Sequence, residues 1–184
     1  MDKINKSVMS IGLIASIPLL LGKRQPVENF RVENQDSEIT VPGITLNDFV
    51  SQQYKIGFKY PASWSKNPRY EDKYEGATGF FEVGDFEGTG ENIDEAVQAQ
   101  IDEDYRPYGS SPTVRSFNVD GQPARVIYPS ADQPDFYKDR EAAIVVKYPR
   151  PLTVGDSTYE YVVIWASKEY IPLILSTFKF TGEE

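Results

Sequence analysis

Asp85, Glu87, Thr89 and Glu91 come nearest to a metal-binding pattern in this chain. Counted as a calcium loop, Asp85, Glu87 and Thr89 put oxygen side chains at the first, third and fifth positions, and Gly90 occupies the sixth, where the backbone turns sharply. The ninth and twelfth positions are Ile93 and Ala96, where a calcium loop needs another oxygen and its bidentate Glu. Asn92, Asp94 and Glu95 serve instead as the cap and acidic first turn of a helix. The same glycines would make a phosphate cradle only with a Lys-Ser or Lys-Thr after them, and their carboxylate neighbours repel phosphate.

Nucleophilic chemistry has little to draw on. With no His and no Cys in 184 residues, the commonest general base, the thiol nucleophile and the thiolate metal ligand are all missing. A Ser nucleophile would then need a Lys, but Ser65-Lys66 and Ser167-Lys168 are sequence neighbours, whose side chains point apart on a strand. Two carboxylates can hydrolyse a glycoside. Among 28 acidic residues, however, no pair is singled out by its position. The expectation is a non-enzymatic protein with no cofactor, and a carboxylate-based cell-wall hydrolase is the alternative from another class.

Aromatic residues offer a binding chemistry instead. Tyr60, Trp64, Tyr70 and Tyr74 share a stretch with Lys66, Arg69 and Lys73, the one locally basic patch of the domain. Aromatic faces beside polar donors stack on sugars or bind extended peptides, which makes Tyr60, Trp64, Arg69 and Tyr70 candidate binding residues. For Trp64 a structural role, plugging the rim of a sheet, is the preferred reading. Tyr108 joins the candidates because its loop, 106–112, and the loop from Pro129 to Lys138 can border one surface. Trp165, in a strongly apolar run, reads as core.

These residues must be positioned by a sheet and a few helices. Tyr54, Ile56, Phe58 and Tyr60 alternate with Lys55, Gly57 and Lys59 and predict a half-buried strand ended by Pro61. Gly79–Val83 predicts another, followed by a glycine-rich loop from Gly84. Asn92 with Glu95, and Ile93, Val97, Ile101 and Tyr105 at four-residue spacing, predict a capped helix running to Pro107. Strands at Thr113–Val119 and Ala124–Tyr128 flank the turn dipeptide Asp120-Gly121. Ala142–Tyr148 and Thr158–Ala166 are further strands, the second apolar on both faces and hence central. Lys168–Phe178 predicts a closing helix with Pro172 in its first turn. Strands, helix, hairpin-linked strands, helix is the order of an α+β domain with an antiparallel sheet covered by helices.

The N-terminus has a different character. Lys3 and Lys6 precede the apolar run Val8–Gly22, and Lys23-Arg24 follows it, the layout of a signal peptide or signal anchor over 1–24. Residues 25–48 are polar and aperiodic, a linker with a first short strand near Glu38–Val41, and the folded domain is expected over 49–184. An extracytoplasmic protein, secreted or held on the outer face of the membrane, is the expected location. The formal charge of -9 argues against nucleic acid and anionic membrane surfaces as partners. Without the charged residues of the first 24, 15 basic and 27 acidic residues remain, a charge of -12.

Three segments carry a family resemblance. Tyr54-Lys-Ile-Gly-Phe-Lys-Tyr-Pro-Ala-Ser-Trp64, the Gly79-Phe-Phe strand, and Ile174-Leu-Ser-Thr-Phe-Lys-Phe180 resemble the opening and closing motifs of PsbP-like domains. Tyr108–Val114 and Gln122–Ser130 resemble uncharacterised exported proteins of Gram-positive bacteria. The resemblance covers about residues 50 to 180 and implies an antiparallel sheet covered by helices, bracketed by an opening strand and a closing helix. It implies no catalytic residue, since such domains share no catalytic motif. The combined expectation is an exported binding or accessory module whose partner is an envelope or membrane protein. A sensor or regulatory domain paired with a membrane protein is a second form of the same reading.

Overall fold

The computed structural model describes residues 30–31, 43–86 and 92–182. The expected signal segment, the expected strand at Glu38–Val41, most of the linker, and Glu87, Thr89 and Glu91 lie outside the described residues. No helix among the described residues is long and apolar enough to cross a membrane.

Among the described residues eleven strands and two α-helices follow one another as β1 Phe30–Arg31, β2 Leu46–Ser51, β3 Ile56–Pro61, β4 Ser65–Lys66, β5 Lys73–Gly76, β6 Gly79–Phe86, α1 Ile93–Ile101, β7 Thr113–Val119, β8 Gln122–Tyr128, β9 Ala142–Val154, β10 Ser157–Ala166, α2 Ile171–Thr177 and β11 Lys179–Phe180. Eight strands form one sheet in the order β1-β7-β8-β9-β10-β6-β5-β4, and β11-β3-β2 form a second. Every pairing is antiparallel except β1 with β7. The expected α+β architecture with an antiparallel sheet is present.

Apolar patterning decides the layering. Ala142–Val146 in β9 and Tyr161–Ile164 in β10 are buried at every residue, so the sheet is covered on both faces where these strands cross it. One face carries the main core, where Phe81, Val83, Val126, Ile144, Val162 and Ile164 meet β3 and α2. Phe81 centres an aromatic group, with ring centroids 5.0 Å from Phe49, 4.9 Å from Phe58 and 5.1 Å from Tyr74. Each such pair adds about 0.5–1.5 kcal/mol beyond its buried area. On the other face Ile93, Ala96 and Val97 of α1 pack on Ile127, Val145 and Val163. Burying side chains such as Ile93 and Val97 stabilises by about 2 kcal/mol each.

Helix α1 starts as expected and stops early. The Asn92 side chain accepts the amide hydrogens of Asp94 and Glu95 at 3.0 and 3.1 Å. Arg125 of β8 clamps the same turn, its Nε and Nη2 donating to the two carboxylate oxygens of Asp94 at 2.7 and 3.1 Å. The helix was expected to reach Pro107 but ends at Ile101, so Tyr105 does not extend its apolar face and stands 71% exposed. Asp102, Glu103 and Asp104 follow directly, and three carboxylates at the negative end of a helix dipole oppose further turns.

Strand ends differ for similar local reasons. Strand β6 continues through Gly84 to Phe86, because Gly84 pairs with Val163 and lies under the indole of Trp165, where a Cβ would come within 2.7 Å of the ring. Strand β9 continues past Pro149 and Pro151 to Val154. Its register against β10 jumps from Lys147–Tyr161 to Leu152–Tyr159, so four residues of β9 face Glu160 alone. Prolines, which cannot donate to the ladder, are tolerated in such a bulge. The Asp120-Gly121 turn forms as expected, with φ of 48° and 77°. The closing segment splits into a 3-10 turn, Lys168–Tyr170, and α2, with Pro172 in the first turn. Strand β2 opens at Leu46, inside the stretch expected to be linker, and β4 and β5 were not expected at all.

Candidate functional site

The expected aromatic patch is divided between core and surface. Tyr60 is buried, its ring 5.0 Å from Tyr74 and 5.3 Å from Phe81. Trp64 is buried too, with Nε1 donating to Thr78 Oγ1 at 3.0 Å and its ring edge-on to Tyr170 at 4.6 Å. Neither has a free face for a ligand, because β3 turns Tyr60 into the main core and Trp64 plugs the sheet's rim. Lys73, expected to contribute surface charge, is buried with Nζ 5.2 Å from the Tyr70 ring, 5.1 Å from the Phe80 ring and 3.6 Å from the Glu82 carboxylate. Of the patch, Lys66 of β4 and Arg69 and Tyr70 on the turn leading into β5 remain exposed, and the Arg69 amide donates to Asn67 Oδ1 at 2.7 Å.

Asp85 lies in β6, paired with Val162, so the first position of the expected calcium loop falls on a strand. Among the described residues no group of three or more carboxylates is placed to hold a metal ion.

The loops 102–112 and 129–141 meet and are joined by a dense set of hydrogen bonds. They leave the sheet at the same end, since Thr113 pairs with Tyr128 and Ala142 begins β9 beside them. The Ser130 amide donates to Tyr108 O at 3.0 Å, the Ser110 amide to Asp132 Oδ1 at 3.1 Å, and the Ser111 amide to Ser130 Oγ at 3.2 Å. Gln133 Nε2 donates to Pro107 O at 2.8 Å, and Ser130 Oγ donates to Asp132 Oδ1 at 2.5 Å. Hydrogen bonds from Ser130 and Ser110 hold the Asp132 carboxyl well below its ordinary range. Gly109 has φ of +79°, and a Cβ there would overlap Ser130 Oγ and Asp132 Oδ1, so the junction requires glycine.

Tyr108 is the anchor of this junction and is fully buried. It was expected as an exposed binding residue. Its hydroxyl accepts from Trp165 Nε1 at 3.2 Å and donates to Gln100 Oε1 at 3.3 Å, which ties the loop to β10 and α1. Trp165, expected to be core, is half-buried and shares its face with Gly84.

The two loops carry what the sequence reading missed. Tyr105 and Phe136 are the most exposed large hydrophobic side chains among the described residues, at 71% and 70%. Tyr105 follows Asp102, Glu103 and Asp104, which border a shallow groove of about 420 Å³ together with Arg106 and Ser110. Gln98 and Gln100 donate to Asp102 and Glu103 at 2.9 and 2.8 Å and hold these carboxylates in place. The available signal was a Tyr directly after three acids and two residues before a Pro, a poor place for a helix to continue.

A larger cleft of about 640 Å³ opens at the opposite end of the sheet. The β9 bulge, Tyr148–Leu152, forms one wall, and Phe180 and Gly182 lie across it, with Lys55 and the Asp120 turn at the sides. Tyr148 is fixed by its hydroxyl, which donates to Tyr54 O at 3.0 Å.

No family model and no curated protein matches the sequence. Among solved structures the chain is similar to the solution structure of cyanobacterial PsbP (CyanoP) from Synechocystis sp. PCC 6803. The TM-score is 0.40 at 10% identity, over 78% of this chain and 98% of that one.

Proposed function

We propose that the chain is a non-enzymatic binding or accessory module that works outside the cytoplasm and docks an envelope or membrane protein through the loop end carrying Tyr105 and Phe136. The observation behind this reading is the exposure of two large aromatic side chains on loops that hydrogen bonds join to each other. Aromatic anchors on a preorganised surface lose little entropy on binding and dominate many protein interfaces. Asp102, Glu103 and Asp104 beside Tyr105 favour a partner face bearing Lys or Arg, which pairs with carboxylates and stacks on aromatic rings. The export reading rests on the basic and apolar pattern of residues 1–24.

The test is affinity capture of a membrane extract on the full chain and on a Tyr105→Ser/Phe136→Ser variant of equal stability. A protein retained by the first and lost from the second supports the reading. Retention by both places the interface elsewhere.

A further inference from the structure

We infer that the cleft between the β9 bulge and β11 is a binding site for a carboxylate-bearing organic ligand with an apolar or aromatic body. Its volume of about 640 Å³ lies within the range of small-ligand sites. The apolar lining comes from Phe180, whose ring centroid is 5.7 Å from that of the buried Tyr148, and from Leu152 and the two prolines of the bulge.

The charge of the cleft runs against that of the chain. Lys55 and Arg150 both line it, and among the described residues neither side chain is in an ion pair. Among the described lining residues Asp120 is the one carboxylate, and its Oδ2 already accepts the Phe180 amide at 2.8 Å. In a chain of charge -9, a concave surface with two cations and one engaged acid is a local reversal of sign. Both cationic residues sit at distinctive points of the backbone. Lys55 sits at φ +52°, its carbonyl accepting the Thr181 amide at 2.8 Å, and Arg150 lies between Pro149 and Pro151 in the bulge. Bulges of this kind re-aim side chains and recur beside functional sites. A ligand carboxylate placed between Lys55 and Arg150, with its body on Phe180 and Leu152, satisfies both the charge and the apolar surface.

This site is separate from the Tyr105 and Phe136 loops and stands or falls without them. The experiment is amide-resolved NMR titration of the full chain with hydrocinnamate, hydrocinnamyl alcohol and phenethylamine. Saturable shifts of Gln122, Phe180 and Gly182 with the acid, at least about fivefold weaker with the alcohol and absent with the amine, are expected, the upper range for an exposed ion pair. Arg150→Gln, and separately Lys55→Asn, which keeps a residue tolerant of positive φ, should each weaken the acid by a similar factor. A parallel titration with an acetylated Phe-terminated tripeptide, free or amidated at its C-terminus, separates a polypeptide end from a free acid as the source of the carboxylate. Equal response to acid and amine, shifts confined to other surfaces, or unchanged affinity in both variants would overturn the assignment.

Discussion

The indole N–H of Trp165 donates to the hydroxyl of Tyr108 across 3.2 Å, joining a fully buried residue of the 102–112 loop to a central strand of the sheet. Through this contact the loop is part of the core, although Tyr105, three residues earlier, stands in solvent. Tyr108→Phe keeps the ring and removes the hydroxyl that Trp165 and Gln100 both use. A loss of about 1–2 kcal/mol in urea unfolding is expected, whereas Tyr105→Ser should stay within about 0.5 kcal/mol of the parent.

Gly109→Ala should be costlier than its size suggests. The new Cβ meets Ser130 Oγ and Asp132 Oδ1 at a backbone angle that L-residues rarely adopt. A destabilisation above about 2 kcal/mol is expected, with faster amide exchange at Ser110, Ser111 and Ser130, which lie at the junction.

Gly84→Ala tests the packing of β6 under Trp165. Its Cβ would fall 2.7 Å from the indole, so the ring must move off the sheet. About 1–3 kcal/mol of lost stability and a shifted Trp emission are expected. Trp64 sits apart in the rim plug, so a Trp64→Phe background isolates the signal.

Acid should loosen the loop junction through Asp132. Its folded pKa is depressed from the ordinary 3.8 by hydrogen bonds from Ser130 and Ser110. A depressed carboxylate contributes stability that is present above the unfolded value and is lost as pH falls through 3.8 towards the lower folded value. Asp132 is exposed, so solvent keeps the effect small. Unfolding midpoints followed from about pH 6 down to about pH 2 should show a shallower acid decline in Asp132→Asn than in the parent.

Much of this fold was legible in short patterns. Ile56, Phe58 and Tyr60 alternate, Asn92 caps, and Asp120-Gly121 turns because each signal depends on neighbours a few residues away. Where partners distant in sequence decide the outcome, the same rules misled. The strand expected over Ala142–Tyr148 runs on through Pro149, because β10 supplies a partner strand that tolerates a bulge there. Gly84 looked like a loop residue, yet it is a strand residue thinned to admit Trp165. The binding candidates suffered more, because exposure is a property of the whole chain. Tyr60 and Tyr108 are aromatic for the sake of the core, Trp64 is the rim plug it was preferentially read as, and Tyr105 was placed on a helix that its own acidic neighbours ended. Lys55 and Arg150 are ninety-five positions apart and share a cleft only once β9 and β11 have formed.

The proposed docking end is tested most directly by photocrosslinking in the native cell, with a photoreactive phenylalanine analogue at position 105 or 136 and, as controls, at the exposed Val50 and Val114. One and the same adduct from 105 and 136, absent from 50 and 114, is the expected result. Adducts of equal yield from all four positions, or none from 105 and 136, would contradict a partner interface on these loops.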